Sequence, residues 1–217
     1  MGPMTFANRT DAGRHLAERL ATLHDERLVV LGLPRGGVPV AAPVAIALRA
    51  PLDVLPVRKL GLPWQPELAM GAVAEGGITV VDEPVARRAG ITDRELLQAA
   101  ERALPALERA AGFRDGRPPV PLEGCTALIV DDGLATGATA RAACLAVRDR
   151  GAVRVIVAVP VAPPHWAQPM HGVADECIAL HVPTGFRAVG QAYRDFTPTT
   201  DQQVRAALAE AAAELTS

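Results

Sequence analysis

The stretch Ala127-Leu128-Ile129-Val130-Asp131-Asp132-Gly133-Leu134-Ala135-Thr136-Gly137-Ala138-Thr139 decides how this chain is read. A short continuous apolar run from Cys125 to Val130 reads as a buried strand. Two carboxylates follow, then a Gly/Thr turn that opens a helix running from about Thr136 to Arg150. Backbone N–H groups at a helix N-terminus, with the hydroxyls of Thr136 and Thr139, form a cradle for a phosphate. Asp131 and Asp132 repel that phosphate, but they can accept hydrogen bonds from paired hydroxyls, directly or through a metal. A phosphate, a diol and a metal together point to a phosphorylated sugar.

Outward from this stretch, apolar strand candidates alternate with helix candidates. Upstream, a helix opening at Thr10-Asp11 precedes the strand Leu28–Leu33, and a small-residue helix over Val38–Arg49 precedes the strand Leu52–Arg58. Residues Lys59 to Gly77 are rich in Gly and Pro without clear period, which predicts a long loop. Ile78–Asp82 reads as a strand. Thr92-Asp93-Arg94-Glu95 is a capping box for a helix to about Ala111, with a kink expected at Pro105, and a polar connector spans Asp115 to Glu123. Downstream come a strand over Val153–Val159, a short helix over Pro163–His171, a strand over Cys177–Val182 and a helix capped by Thr200 with Val204, Leu208 and Leu215 inward. This order predicts one α/β domain over residues 1–217, with a largely parallel central sheet flanked by helices. Ligands of such sheets bind beyond the carboxyl ends of the strands, so the turns after Leu33, Arg58 and Val130 should share one rim.

Composition narrows the classes. The chain has 217 residues, 49% hydrophobic and 21% charged, which excludes a disordered or collagen-like protein. A net charge of −2 with no basic block argues against nucleic acid as a partner. Of 22 Lys and Arg residues only Lys59 is a lysine. The three cysteines show no metal-ligand spacing and fit a reducing, cytoplasmic setting. The first residues lack the basic and apolar regions of a signal peptide, and no apolar run reaches the ~20 residues of a membrane span, so no membrane partner is expected. A GxxxxGK[ST] loop, a GxGxxG after a strand and a GxSxG elbow are all missing, which disfavours P-loop, Rossmann and serine-hydrolase readings.

The Ala127–Thr139 segment resembles the phosphoribosyl-diphosphate (PRPP) motif of type I phosphoribosyltransferases, and the resemblance extends over about Thr10 to Leu215. It especially resembles an uncharacterised bacterial branch with Leu-Pro-Arg-Gly-Gly and Val-Asp-Asp-Gly-x-Ala-Thr-Gly patterns. Gly32-Leu33-Pro34-Arg35-Gly36-Gly37-Val38-Pro39 resembles the family's pyrophosphate loop, which often holds a cis non-proline peptide, here Pro34–Arg35. The glycines permit close backbone approach to an anion, and Arg35 adds a fixed charge. Arg58-Lys59 stands where the family places basic residues against pyrophosphate, before a mobile loop that closes over the site, here 59–77; a solvated strand end is the other reading. Residues 182–200 resemble the hood of purine members, with Phe186, and Tyr193 near it, as candidate acceptor-binding rings; a small hydrophobic cluster under the last helix is the alternative. The resemblance implies transfer of ribose 5-phosphate from PRPP to a small-molecule acceptor in nucleotide metabolism, Mg²⁺ as cofactor and a homodimer. Arg35, Arg58, Lys59, Asp131 and Asp132 would carry the reaction, with Mg²⁺ on Asp131 and Asp132. Gly36, Gly37, Asp131, Asp132, Ala135, Thr136, Gly137, Ala138 and Thr139 would hold PRPP. A non-catalytic PRPP-binding regulator is the rival reading. Purine salvage members carry an aspartate where this chain has Ala135, and oxopurine members a lysine before the hood, where this chain has none. A hypoxanthine, guanine or xanthine acceptor is therefore not expected.

Overall fold

The computed structural model describes residues 5–23, 27–77 and 79–216, apart from the side chains of residues 66, 67 and 76. Five strands form a parallel sheet: β1 (Leu28–Gly32), β2 (Leu52–Val54), β6 (Thr126–Val130), β7 (Arg154–Val161) and β8 (Glu176–His181), in the order β2-β1-β6-β7-β8. β1 and β6 are buried at every position. Strand periodicity divides their side chains between two faces. Val29, Leu31, Ala127, Ile129, Val155 and Val157 join one cluster with α5 (Ala138–Asp149). Leu28, Val30, Leu128, Val130, Ile156 and Ala158 join a second with α1 (Arg9–Arg19) and α2 (Gly37–Ala47). A sheet covered on both faces explains why the strands read as unbroken apolar runs. Helix α2 continues through Pro43, and α6 (Asp201–Leu215) packs beside it.

The segment expected as a loop is different. Residues 57–81 form a second, antiparallel sheet of β3 (Val57–Leu62), β4 (Gln65–Ala74) and β5 (Thr79–Val81), in that order. Its glycines mark irregular register at Leu60–Leu62 and a close approach at Gly71, where an added Cβ would stand 2.5 Å from the Val80 carbonyl oxygen. One face of this sheet, with Val57, Ala72 and Ala74, packs toward α5. The other, with Leu60, Leu62, Met70 and Val73, packs under α3 (Glu83–Arg88) and α4 (Asp93–Ala111). The expected strand Leu52–Arg58 is thus two strands in two sheets, divided at Leu55-Pro56. Ile78 lies outside the described residues.

Helix α4 runs through Pro105, and its Thr92/Glu95 capping box is present. At α1 the cap is Asn8 rather than Thr10 or Asp11: its side chain accepts from the Asp11 N–H. The short helix expected at Pro163–His171 shrinks to a 3₁₀ turn at Gln168–Met170. Helix α6 buries Val204, Leu208 and Ala211, while Leu215 in its last turn is exposed. Among the described residues no helix is long and apolar enough to cross a membrane.

Candidate functional site

Two turns meet at the carboxyl ends of β1 and β6. The Leu33 N–H donates to the Val130 carbonyl, which locks the turn after β1 onto the end of β6 (2.9 Å). The contact leaves no room for side chains. A Cβ on Gly36 would sit 2.1 Å from Asp132 Oδ2, and one on Gly37 2.6 Å from the Val130 carbonyl oxygen. Glycine at both positions is what lets the Pro34-Arg35-Gly36-Gly37 turn lie against the two aspartates, and the Pro34–Arg35 peptide is cis, as the resemblance implied. The two motifs, about a hundred residues apart in the chain, are one site.

Beyond Asp132 the chain passes Gly133, where a Cβ would stand 2.5 Å from Val189 Cγ1, and reaches Gly137. Gly137 caps α5 with φ +76°, a left-handed conformation that suits glycine. The first N–H groups of α5 thus follow directly on exposed Ala135 and Thr136, with Thr139 half-buried in the first turn. This open helix end is suited to an anion.

The carboxylates themselves are crowded. Asp131 is held well above the ordinary carboxylate range, first by burial and then by the charge of Asp132. Burial also raises Asp132, against the pull of Arg9. Arg9 Nε donates to Asp132 Oδ2 at 2.8 Å, with the two side chains 12% and 16% exposed. Two desolvated neighbouring carboxylates form a place where a cation is favourable. Among the described residues no group of three or more His, Cys, Asp or Glu is arranged to hold a metal by itself. That donor set fits Mg²⁺, which commonly uses one or two carboxylates and completes its shell with substrate oxygens and water.

The other expected residues divide. Arg35 is exposed and reaches Asp201 at the start of α6 (3.3 Å), a surface pair that costs little to separate. Arg58 and Lys59 are neighbours on a strand and so lie on opposite faces. Lys59, paired with Ala72, shares the face that packs toward α5, while Arg58, paired with Val73, lies on the face under α3 and α4. Phe186 is half-buried against a cluster containing Phe6, Ala192 and Tyr193. Tyr193 is a correction. Its ring is 6% exposed, and its hydroxyl donates to the Asp132 carbonyl at 2.6 Å, so it braces the site and presents no face to an acceptor. Burial, with the nearby carboxylates, pushes its phenol far above the ordinary value.

Sequence reasoning missed Arg9 and Thr197, and gave Phe196, within the 182–200 segment, no role of its own. Arg9 also donates to the Thr197 carbonyl (2.8 Å) and lies 4.0 Å over the Phe196 ring, which stacks on Tyr193. The one local signal was a cation in the first turn of a helix, where the macrodipole disfavours it.

Known proteins resemble this chain in sequence and in fold. The phosphoribosyl transferase domain profile matches residues 7–194. A Mycobacterium tuberculosis (strain H37Rv) protein with the provisional name phosphoribosyl transferase is 53% identical over 205 residues, covering 94% of this chain and 46% of its own. The chain therefore spans about half the length of the curated relatives it matches. The crystal structure of TT1426 from Thermus thermophilus superposes with a TM-score of 0.87 at 46% identity, over 95% of this chain and 99% of that one. Adenine phosphoribosyltransferase from Leishmania donovani shares the fold, with a TM-score of 0.50 at 15% identity over 87% of this chain and 69% of that one.

Proposed function

The chain belongs to the phosphoribosyl transferase family, and on that premise we propose that it transfers ribose 5-phosphate from PRPP to a small-molecule acceptor. The observation that carries this reading is the contact of the Gly36-Gly37 turn with Asp131-Asp132. One turn offers bare backbone to a pyrophosphate, the other offers carboxylates to a diol, and α5 offers its N-terminus to a 5-phosphate. In the reaction the bond from ribose C1 to pyrophosphate breaks and a bond from C1 to the acceptor forms. The acceptor's proton leaves to water or to a base. The C1 centre passes through an oxocarbenium-like state.

The chain's own residues do the following. Asp131 and Asp132 orient the ribose hydroxyls, and the 135–139 turn holds the phosphate. Arg35 leaves Asp201 to meet the departing pyrophosphate, and Lys59 approaches from the second sheet. Mg²⁺, held by Asp131 and Asp132 together with PRPP, would supply charge neutralisation for the leaving group. The hairpin of β3 and β4 covers the site and excludes water. Phe186 remains the candidate ring on the acceptor side. A homodimer and a cytoplasmic setting complete the proposal.

The acceptor is not an oxopurine. Ala135, exposed in the phosphate turn, can neither take nor share a proton, and Lys59 on β3 is the chain's single lysine. The test is a screen for PRPP-dependent pyrophosphate release across amines, purines and other bases. Turnover with one acceptor class supports the transferase, and efficient turnover of hypoxanthine or guanine refutes the exclusion. PRPP binding with no release under any acceptor would make the chain a PRPP-binding regulator.

A further inference from the structure

Asp132 is held from three directions. Its Oδ2 accepts from Arg9 Nε, its carbonyl accepts from the Tyr193 hydroxyl, and Gly36 leaves the space that Oδ2 occupies. Arg9 is itself fixed at two further points, the Thr197 carbonyl and the Phe196 ring. A guanidinium can make this arrangement because its N–H groups form a rigid planar fork whose face stacks on an aromatic ring. The result ties three separated segments to one carboxylate: the start of α1, the turn after β6, and residues 193–197. Nothing in α1 itself calls for a cation at this position, since the helix N-terminus disfavours one. The function of Arg9 must therefore be sought in what it touches.

We propose that Arg9 is a positioning residue for phosphoribosyl transfer: it sets the Asp132 carboxylate for a ribose hydroxyl and couples that carboxylate to the Tyr193–Thr197 segment on the acceptor side. The proposal rests on the PRPP reading above. Arg9 turns Oδ2 toward itself and so fixes where the other carboxylate oxygen stands.

The experiment is titration calorimetry of PRPP in magnesium-containing buffer, and of inorganic pyrophosphate, against the unaltered protein, Arg9→Met, Asp132→Asn and the double variant. Arg9→Met is expected to weaken PRPP binding by about tenfold, and the double variant to bind no more than about twofold worse than Asp132→Asn, because coupled residues are not additive. Pyrophosphate has no ribose hydroxyls, so its affinity stays within about threefold in Arg9→Met, whereas collapse of the site would weaken both ligands. PRPP affinity unchanged in Arg9→Met, multiplied losses in the double variant, or equal loss of pyrophosphate each overturns the Arg9 proposal alone. Failure of the unaltered protein to bind PRPP overturns the PRPP reading together with it. Should Arg9→Met not fold, Arg9→Lys carries the test. One ammonium cannot hold Asp132, Thr197 and the Phe196 ring as the fork does, so weaker PRPP binding is expected, and full affinity would overturn the proposal.

Discussion

The two sheets of this molecule differ in how much freedom they leave their loops. At the rim of the parallel sheet the fit is close: Gly37 lies against the Val130 and Asp131 backbone and Gly36 against the Asp132 carboxylate, with no space for a Cβ. In the antiparallel sheet the β3–β4 hairpin exposes Trp64 in its turn and Leu68 on β4. Groups proposed to hold the ligand are mounted on the first, and the part proposed to cover it is built from the second. A rigid seat and an adaptable cover place different demands on sequence, and the variants below separate them.

The largest expected effect lies where the sheets are tied together. Arg114, only 4% exposed, donates to Asp53 at 2.6 Å, to Glu75 at 2.5 Å and to the Val54 carbonyl at 2.9 Å. Asp53 belongs to β2 of the parallel sheet, and Glu75 follows β4 of the antiparallel one. Arg114→Ala leaves the buried Asp53 carboxylate with backbone N–H partners alone, while Glu75, 32% exposed, can turn to water; removal of one partner from a buried ion pair costs about 3–5 kcal/mol. Urea unfolding should show that loss. A loss under ~1 kcal/mol would mean that the sheets are held by apolar packing alone.

Next comes the seat. Gly37→Val places branched carbon against the Val130 carbonyl and Asp131, and overpacking of this kind costs about 1–3 kcal/mol. PRPP binding should vanish in the same variant, because the turn can no longer lie on the carboxylates. Asp131→Asn is milder. It keeps the shape and relieves the repulsion with Asp132, so the fold is retained or slightly stabilised. PRPP affinity in magnesium should fall by at least about tenfold, since changing even the outer-shell partners of a metal site typically costs about 10–100-fold. Native stability with wild-type affinity in Asp131→Asn would move the metal and diol site elsewhere.

The same contrast explains what could be read from the sequence. β1 and β6 are buried on both faces, so their apolar runs are unbroken, and the turn that follows each carries residues proposed above to hold PRPP. The meeting of Gly36-Gly37 with Asp131-Asp132 followed from topology, because parallel strands place their carboxyl ends on one rim. β3 and β4 gave no such signal. Gly61 and Gly71 interrupt their alternation, and a prolyl residue stands at 63, so strands held by packing on α4 and α5 resemble a loop. Arg58-Lys59 read as a unit in one dimension and became two faces of a strand in three. Tyr193 read as a ligand-facing aromatic because no local pattern records a hydroxyl bound to a carbonyl 61 residues away. Arg9 was illegible for the same reason, its partner Asp132 being 123 residues distant.

The smallest expected change in stability falls at the hairpin tip, and it is the sharpest test of the division between seat and cover. Trp64 is 63% exposed, so Trp64→Ser removes little packing, and surface changes of this kind stay within about 0.5 kcal/mol. For a chain of this size that corresponds to a shift in Tm of about 1–2 °C at most. A large apolar ring held in water at the end of a hairpin is available to pack on a bound ligand. If the hairpin closes over PRPP, Trp64→Ser should weaken PRPP binding and lower kcat several-fold with Tm little changed, since the loss is felt in the closed state. A Tm drop well beyond that range would show that the ring is packed and structural. An unchanged kcat with an unchanged Tm would show that the tip takes no part in closure, and the antiparallel sheet would then be an extension of the scaffold rather than its cover.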